Sequence, residues 1–568
     1  MVFRLSKLSL FEHPFLGNLV LNFSNQTINE TAVAPFTTLI IGPNGTGKSQ
    51  ILRAIADIFR EISQEMNNKR QKRLIYGYNL EFVVDGVTYC VDNRFLFDSD
   101  LDSVNTKIRE HNNTYPYWPH IEEINNPKEF FSFRLRENDS EYTRFEPKEL
   151  AHTIKNTNGR IYILSCVGAR THLVFVNGQR AQLSNIKLPI KILAASFMLN
   201  DKFLFSKEAG KEKSDIYHYL GIRSTRGSAS TRTYIRRVVE NIIAASDDVI
   251  FLQNLNEMLH FLEFKKSFRI LLNLRFKKIF FNNKVNEGTF RSFFEDWKTS
   301  RPRRKTMPFS VNYFKTLSKN EVEELVDFVN GTVGPRISMV GHASYYDYDL
   351  LDHKNIDAKK SKNEFELIKK LMKLDLVSYP QIMLKKEKAF DLEESSSGEY
   401  HLIATLTSIM ANISNKSLIL IDEPEISFHP NWQMNYITIM KKIFKNHADC
   451  HFVIATHSHF MVSDLQKESS SIVVLNRNHL NKILSKTYGE NTFGWTAEDI
   501  LYNVFDVPTV RNYYLAEKVG KILDMIGERE QNVEKIKKAV SELKEIHLNL
   551  KDIDPMKEII TKLIERYG

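Results

Sequence analysis

Gly42-Pro43-Asn44-Gly45-Thr46-Gly47-Lys48-Ser49 is the first stretch of the chain whose residue types and spacing suit chemistry. Its glycines let a backbone bend sharply and approach a ligand without Cβ atoms in the way. Loop N–H groups and a following helix N-terminus converge on phosphate oxygens, Lys48 adds a point charge, and the Ser49 hydroxyl suits Mg²⁺. Such a loop needs a distant acidic partner at the end of a buried strand. Leu418-Ile-Leu-Ile-Asp422-Glu423 supplies it. Asp422 suits the metal, and Glu423 suits a water, as general base or orienting group. The two stretches together imply a nucleoside triphosphate bound with Mg²⁺.

Two further groups extend this site. Ser396-Ser397-Gly398-Glu399 opens a helical stretch and offers a second anion site, which one nucleotide does not need twice. His457 follows the strand-like run 450–456, where an imidazole reaches a γ-phosphate.

The elements around these residues fit. The run 36–41 is apolar and β-branched, as in a buried strand, and Ile51, Leu52, Ala54, Ile55, Ile58 and Phe59 follow Lys48 at helical spacing. A strand before the loop and a helix after it are the context a P-loop requires. Further strands are expected at 1–35, to pair ahead of the P-loop strand, and at 416–424, 450–456 and 471–475. Asp85-Gly86 and Asn177-Gly178, each between β-rich runs, mark turns. Residues 95–150 read as polar loops.

From 202 to 390 the expected character is helical, with periodic apolar residues over 232–245, 251–264 and 321–329. This segment is dense in Lys and Arg, including Lys265, Lys266, Arg301, Arg303, Arg304, Lys305, Lys385 and Lys386. Those charges suit either a solvated face or contact with DNA or RNA. Sustained heptads are absent, which excludes a long coiled-coil arm. Beyond Thr496 the chain reads as amphipathic helices, with Val519, Ile522, Leu523, Ile526 and then Ile536, Val540, Leu543 on apolar stripes. Such stripes must pack on the rest of the protein or on a partner.

Composition narrows the class. At 568 residues, with 42% hydrophobic and 26% charged, the chain supports two to four folded domains. No apolar run is long enough to cross a bilayer, and the N-terminus lacks a signal peptide's pattern. Its three scattered cysteines argue against a disulfide framework or a zinc site, so a cytoplasmic protein without membrane contact is expected. A net charge of +9 permits nucleic-acid contact.

In order and spacing the motifs resemble the ABC-type ATPase heads of the RecF, SMC and OLD class. On that resemblance 42–49 is Walker A, 395–399 a signature motif with Ser and Glu at altered positions, 418–423 Walker B, 425–430 the D-loop and His457 the switch histidine. No clear Q-loop glutamine appears, and Asn200 or Asp201 stands where one belongs. The resemblance implies an α/β ABC-type P-loop ATPase head, a mixed sheet with flanking helices, carrying a helical insertion and a helical C-terminal region. The head occupies 1–201 and 391–495, the basic insertion 202–390 and the tail 496–568. It also implies a head-to-tail dimer in which 396–399 of one copy closes on ATP held by the other.

A narrower resemblance, through Asp201-Lys-Phe203, Tyr217-His-Tyr-Leu-Gly-Ile-Arg223, Glu425-Ile-Ser-Phe-His-Pro430 and 494–501, is to stand-alone ATPases of bacterial anti-phage systems of the Septu and retron kind. What it implies is slow ATP hydrolysis controlling a separate nuclease of HNH type. A retron reverse transcriptase with its nucleic acid is another partner it implies. The other classes considered are a RecF- or SMC-like DNA-repair ATPase and a nucleotide-gated scaffold without turnover.

Overall fold

A computed structural model describes residues 2–24, 34–67, 76–93, 172–205, 216–274, 285–300, 309–351 and 358–488, apart from short interruptions. It also describes strands between 143 and 163 and most of 494–568. The expected loops of 95–150 largely, and Arg301, Arg303, Arg304 and Lys305 wholly, lie outside the described residues. The chain divides into two compact units, 1–493 and 494–568.

At the centre of the first unit is a seven-stranded sheet in the order Tyr217–Tyr219, Ile192–Ser196, Leu418–Asp422, His451–Ala455, Phe36–Ile41, Ser470–Arg477, Ile483–Tyr488. Every neighbouring pair is parallel except the last. The four strands from Ile192–Ser196 to Phe36–Ile41 are buried along their whole length, which is why they read as unbroken apolar runs. Register aligns their C-terminal ends: Ser196 lies opposite Asp422, Asp422 opposite Ala455, and Ala455 opposite Ile40. His451 fastens this arrangement. Its Nδ1 accepts from the Leu5 N–H at 3.0 Å, so the Nε2 proton donates to Thr38 Oγ1 at 2.8 Å. Burial first, then Arg4, hold that imidazole neutral, well below its ordinary range.

A second, antiparallel sheet runs Gln179–Ala181, Leu173–Val176, Val87–Asp92, Gly77–Val84, Phe3–His13, Gly17–Asn22. Asp85-Gly86 and Asn177-Gly178 turn its hairpins with positive φ at both residues, as the two-residue turns of twisted strands require. The helix Lys48–Met66 follows the P-loop. Its Ile51, Ile55, Phe59 and Ile62 share one core with Phe3, Leu80 and Phe82 of this sheet and Leu418, Leu420 and Val453 of the central one.

The segment 202–390 corrects the helical expectation. Helices Thr231–Ala244, Val249–Phe261, Glu287–Ser300, Phe309–Phe314, Lys319–Phe328 and Ala358–Lys373 are present. With them stands a five-stranded antiparallel sheet, ordered Ile337–Val340, Ala343–Asp349, Phe268–Leu274, Val377–Lys385, Ala389–Asp391. Short apolar runs such as 268–274 do not declare strand or helix by periodicity, and Pro380 argues against a strand. Pro380 pairs with Leu272 of Phe268–Leu274, while Ala389–Asp391 pairs only with residues 383–385, so the proline lies beyond the end of that edge ladder.

The second unit contains helices Ala497–Asn503, Tyr513–Gly527, Val533–Ser541, Lys544–Asn549 and Pro555–Tyr567. Its apolar stripes meet one another: Leu515, Val519, Ile522, Ile536, Val540, Leu543, Ile560 and Leu563 form their own core. The expectation that these stripes need another surface is therefore corrected. Four helices supply the apolar area that one amphipathic helix cannot bury alone.

Candidate nucleotide site

The P-loop is shaped by its neighbours as well as by its own residues. Gly42 has φ +149, and a Cβ there would fall 2.3 Å from the Leu475 carbonyl of the adjacent strand. Gly47, at φ +86, precedes the helix Lys48–Met66 as its N-cap. Thr46 Oγ1 donates to the Pro43 carbonyl at 2.8 Å, tying the loop to itself. Arg477 braces it from outside, donating to the Gly45 carbonyl at 2.5 Å and the Asn481 carbonyl at 2.9 Å. Neither contact is signalled in the sequence.

Sheet order decides which side chains meet. Leu418–Asp422 is not adjacent to the P-loop strand, because His451–Ala455 runs between them. That intervening strand delivers His457 to the gap. Its Nδ1 lies 3.2 Å from Lys48 Nζ and its Nε2 3.2 Å from Glu423 Oε1. An ammonium can only donate, so Nδ1 accepts and Nε2–H donates to Glu423. Ser49 Oγ donates to Asp422 Oδ1 at 2.9 Å. Lys48 Nζ also donates to the Gly42 carbonyl at 2.8 Å and the Pro43 carbonyl at 3.3 Å. The expected P-loop, Lys48, Ser49, Asp422, Glu423 and His457 thus converge at one place.

Their electrostatics are those of a site built for charge. Burial pushes Asp422 up to about 7 against the hydrogen bond from Ser49, with Glu423 adding to the rise. Burial pulls Lys48 down to about 8, although Glu423, Glu425 and Asp422 resist. Glu423 is held below the usual carboxylate range, chiefly by the hydrogen bond from His457. Its φ is +48, a conformation non-glycine residues rarely take, and its N–H donates to the Ala455 carbonyl at 2.9 Å. Glu425 accepts from the His457 N–H at 2.5 Å, and burial raises its pKa. It holds the histidine's backbone, a role not legible in the sequence. Hydroxyl and carboxylate oxygens this close are the hard donors Mg²⁺ takes beside phosphates and water, so the residues present fit that ion.

Ser396 caps the helix Ser397–Asn412. Its hydroxyl accepts from the Glu399 N–H at 3.2 Å, and Glu399 Oε2 accepts from the Ser396 N–H at 3.1 Å. That reciprocal box engages Ser396 and Glu399, while the N–H groups of Ser397 and Gly398 precede the first intrahelical bond. Lys386 Nζ adds an ion pair to Glu399 at 2.6 Å. A Cβ on Gly398 would fall 2.6 Å from the Ser427 carbonyl, so the helix start is pressed against the segment after Walker B. Among the described residues no hydrogen bond joins 396–399 to the P-loop.

Of the two stand-ins for a Q-loop glutamine, Asp201 is engaged elsewhere. It accepts from Tyr219 Oη at 2.7 Å, Arg223 Nε at 3.0 Å, Arg223 Nη2 at 2.6 Å and the Phe203 N–H at 3.0 Å. Asn200 is exposed.

Residues 16–462 match the AAA ATPase domain family AAA_15. The chain belongs to that family. Among curated proteins it is 25% identical over 274 residues to the Retron Vc95 probable ATPase of Vibrio cholerae serotype O1 biovar El Tor, covering 42% of this chain and 49% of that one. It is 26% identical over 156 residues to the Septu protein PtuA of Bacillus thuringiensis, covering 27% and 37%. It is also 27% identical over 164 residues to protein ea59 of Escherichia phage lambda, covering 27% and 31%. The chain thus spans half or less of the length of these relatives. Similar solved structures include an SmcHead bound to the C-winged helix domain of ScpA, at 12% identity and TM-score 0.30 over 85% of this chain and 97% of that one. Another is the SMC head domain from Thermotoga maritima, at 11% identity and TM-score 0.28 over 86% and 99%. The family and the sheet around the P-loop make this an α/β P-loop ATPase domain. Among the described residues no helix is long and apolar enough to cross a membrane, and no cluster of three or more His, Cys, Asp or Glu could hold a metal.

Proposed function

We propose that the protein binds and slowly hydrolyses ATP as the regulatory subunit of a bacterial anti-phage defence complex. The observation that carries the enzymatic part is the Lys48–His457–Glu423 chain of contacts beside the Ser49–Asp422 pair. Mg²⁺, when bound, would supply positive charge that offsets the charge developing during phosphoryl transfer. Ser49 and Asp422 would hold that ion. The loop N–H groups and Lys48 hold the phosphates. Glu423, kept ionised, accepts a hydrogen bond from the attacking water and takes its proton as the γ-phosphoryl leaves. His457 fixes the Glu423 carboxylate through Nε2–H and faces the γ-phosphate.

Two copies close head-to-tail, and the helix N-terminus at Ser396, Ser397, Gly398 and Glu399 meets the nucleotide held by the other copy. The similarity to the retron ATPase and to PtuA supports the defence setting. The effector in this reading is a separate nuclease of HNH type, with DNA, RNA or a retron reverse transcriptase and its nucleic acid as further partners.

Glu423→Gln is the decisive variant, because it keeps the binding charges and removes the base. Expected are retained ATP, an ATP-dependent dimer in analytical ultracentrifugation, and a turnover loss of about 10²–10⁴-fold. Parental turnover would remove Glu423 from the mechanism.

A further inference from the structure

The strand Ile192–Ser196 ends beside Walker B, with Ser196 opposite Asp422. The residue that follows is Phe197, so its position is set by the phosphate edge of the sheet. Its half-buried ring stacks on the imidazole of His401, with centroids 3.9 Å apart and planes at 27°. It also stands edge-on to Tyr234, at 5.3 Å and 85°, and to Tyr400, at 6.0 Å and 82°. His401 lies about one turn into the helix Ser397–Asn412. Its Nδ1 is 3.4 Å from the Ile426 carbonyl, in the segment that leaves Glu423. One turn earlier in the same helix, Gly398 is pressed on the Ser427 carbonyl.

Three pieces of the chain therefore meet at one imidazole: the loop leaving the edge beside Asp422, the segment leaving Glu423, and the helix whose N-terminus is the second anion site. Ring faces in stacking contact transmit a displacement with little slack, because separating or shearing them loses the contact. Asp201, four residues beyond Phe197, is fixed by Arg223 and Tyr219, so the loop is anchored at its far end. A shift at the phosphate edge then has the Phe197 ring as its outlet.

We propose that Phe197 and His401 are positioning residues that set the N-terminus of the helix Ser397–Asn412 according to what the phosphate edge holds. This rests on the reading that the same N-terminus closes on a second copy's nucleotide. Among the described residues no hydrogen bond or ring contact joins either side chain to the P-loop, Asp422 or Glu423, so the pair acts on closure and turnover and leaves the first binding step alone.

The test uses the full chain and ATP with Mg²⁺. Phe197→Ala removes one ring of the stack and His401→Leu the other. Each is measured for binding of a fluorescent ATP analogue, for kcat, and, in the Glu423→Gln background, for ATP-dependent dimerisation. The expected result is analogue affinity within twofold of the parent, with kcat and dimer affinity each reduced about tenfold. Phe197→Tyr, which keeps the stacking face, should restore both. If both ring-removing variants dimerise and turn over within twofold of the parent, the coupling role is overturned. It is equally overturned if analogue affinity, kcat and thermal midpoint fall together, since that is the mark of a packing residue. A Glu423→Gln parent that forms no dimer with ATP overturns the closure reading itself, and this proposal with it.

Discussion

Ser49 Oγ donates to Asp422 Oδ1 across 2.9 Å, although the two residues are 373 positions apart in the chain. This pair joins the P-loop helix to the Walker B strand, and both oxygens are of the kind Mg²⁺ takes. Asp422→Asn keeps an acceptor for Ser49 but removes the charge. We expect the variant to fold and to lose Mg²⁺-dependent strengthening of ATP binding by at least about tenfold, equivalent to about 1.4 kcal/mol. Calorimetric titration of ATP with and without Mg²⁺ checks this, and an unchanged Mg²⁺ effect counts against Asp422 as the metal's carboxylate.

His457 connects Lys48 to Glu423 through its two ring nitrogens. His457→Ala leaves both charges in place and frees the Glu423 carboxylate to rotate. Turnover should fall about 100-fold, the lower end of the range for general acid–base catalysis, with ATP affinity changed far less. Equal losses in affinity and turnover would assign His457 to nucleotide binding alone.

Gly398 has no room for a side chain beside Ser427 and Trp432. Gly398→Ala must push the helix start away from the segment after Walker B. A loss of about 1–3 kcal/mol in unfolding free energy is expected, the usual range for overpacking, together with weaker ATP-dependent dimerisation. A variant with parental stability and dimerisation would show that this contact yields freely.

His172 ties part of the fold's stability to alkaline pH. It lies 3.1 Å from Glu65 and 3.7 Å from Glu61, with Tyr78 Oη 2.7 Å from its Nε2. Burial opposes its charge, but Glu61 and Glu65 outweigh burial and raise it from 6.5 to about 9. A raised cationic pKa stabilises the folded state fully below 6.5, and that contribution disappears as pH climbs through about 9. The effect is on the order of 1–3 kcal/mol. The melting temperature should therefore drop between pH 6.5 and 9.5 in the parent and stay flatter in His172→Gln. Parallel curves would dismiss the ion pairs as a source of stability.

The unit 494–568 has a core of its own. A chain ending at 493 should remain folded and hydrolyse ATP at a rate within about twofold of the parent, as expected when truncation falls between compact units. If the tail also serves as the docking element for a nuclease, the truncated chain no longer co-purifies with it. Aggregation or loss of ATPase activity on truncation would contradict both statements.

The P-loop, the Asp422–Glu423 pair, the central strands and the glycine turns at 86 and 178 are legible in the sequence. Each is a local pattern whose physics is complete within a dozen residues: a turn that needs positive φ, an apolar run buried on both faces, or a helix start that binds anions. What the sequence left open lies in contacts between distant segments. Nothing local says that His451–Ala455 runs between the P-loop strand and Walker B, yet that order is what places His457 between Lys48 and Glu423. Asp201 reads as a stand-in for a Q-loop glutamine until Arg223 and Tyr219 fold onto it. The strands of 202–390 and the self-contained core of the tail were hidden for the same reason. A short apolar run takes its structure from the partner it pairs with, and an amphipathic face shows that something covers it without saying what.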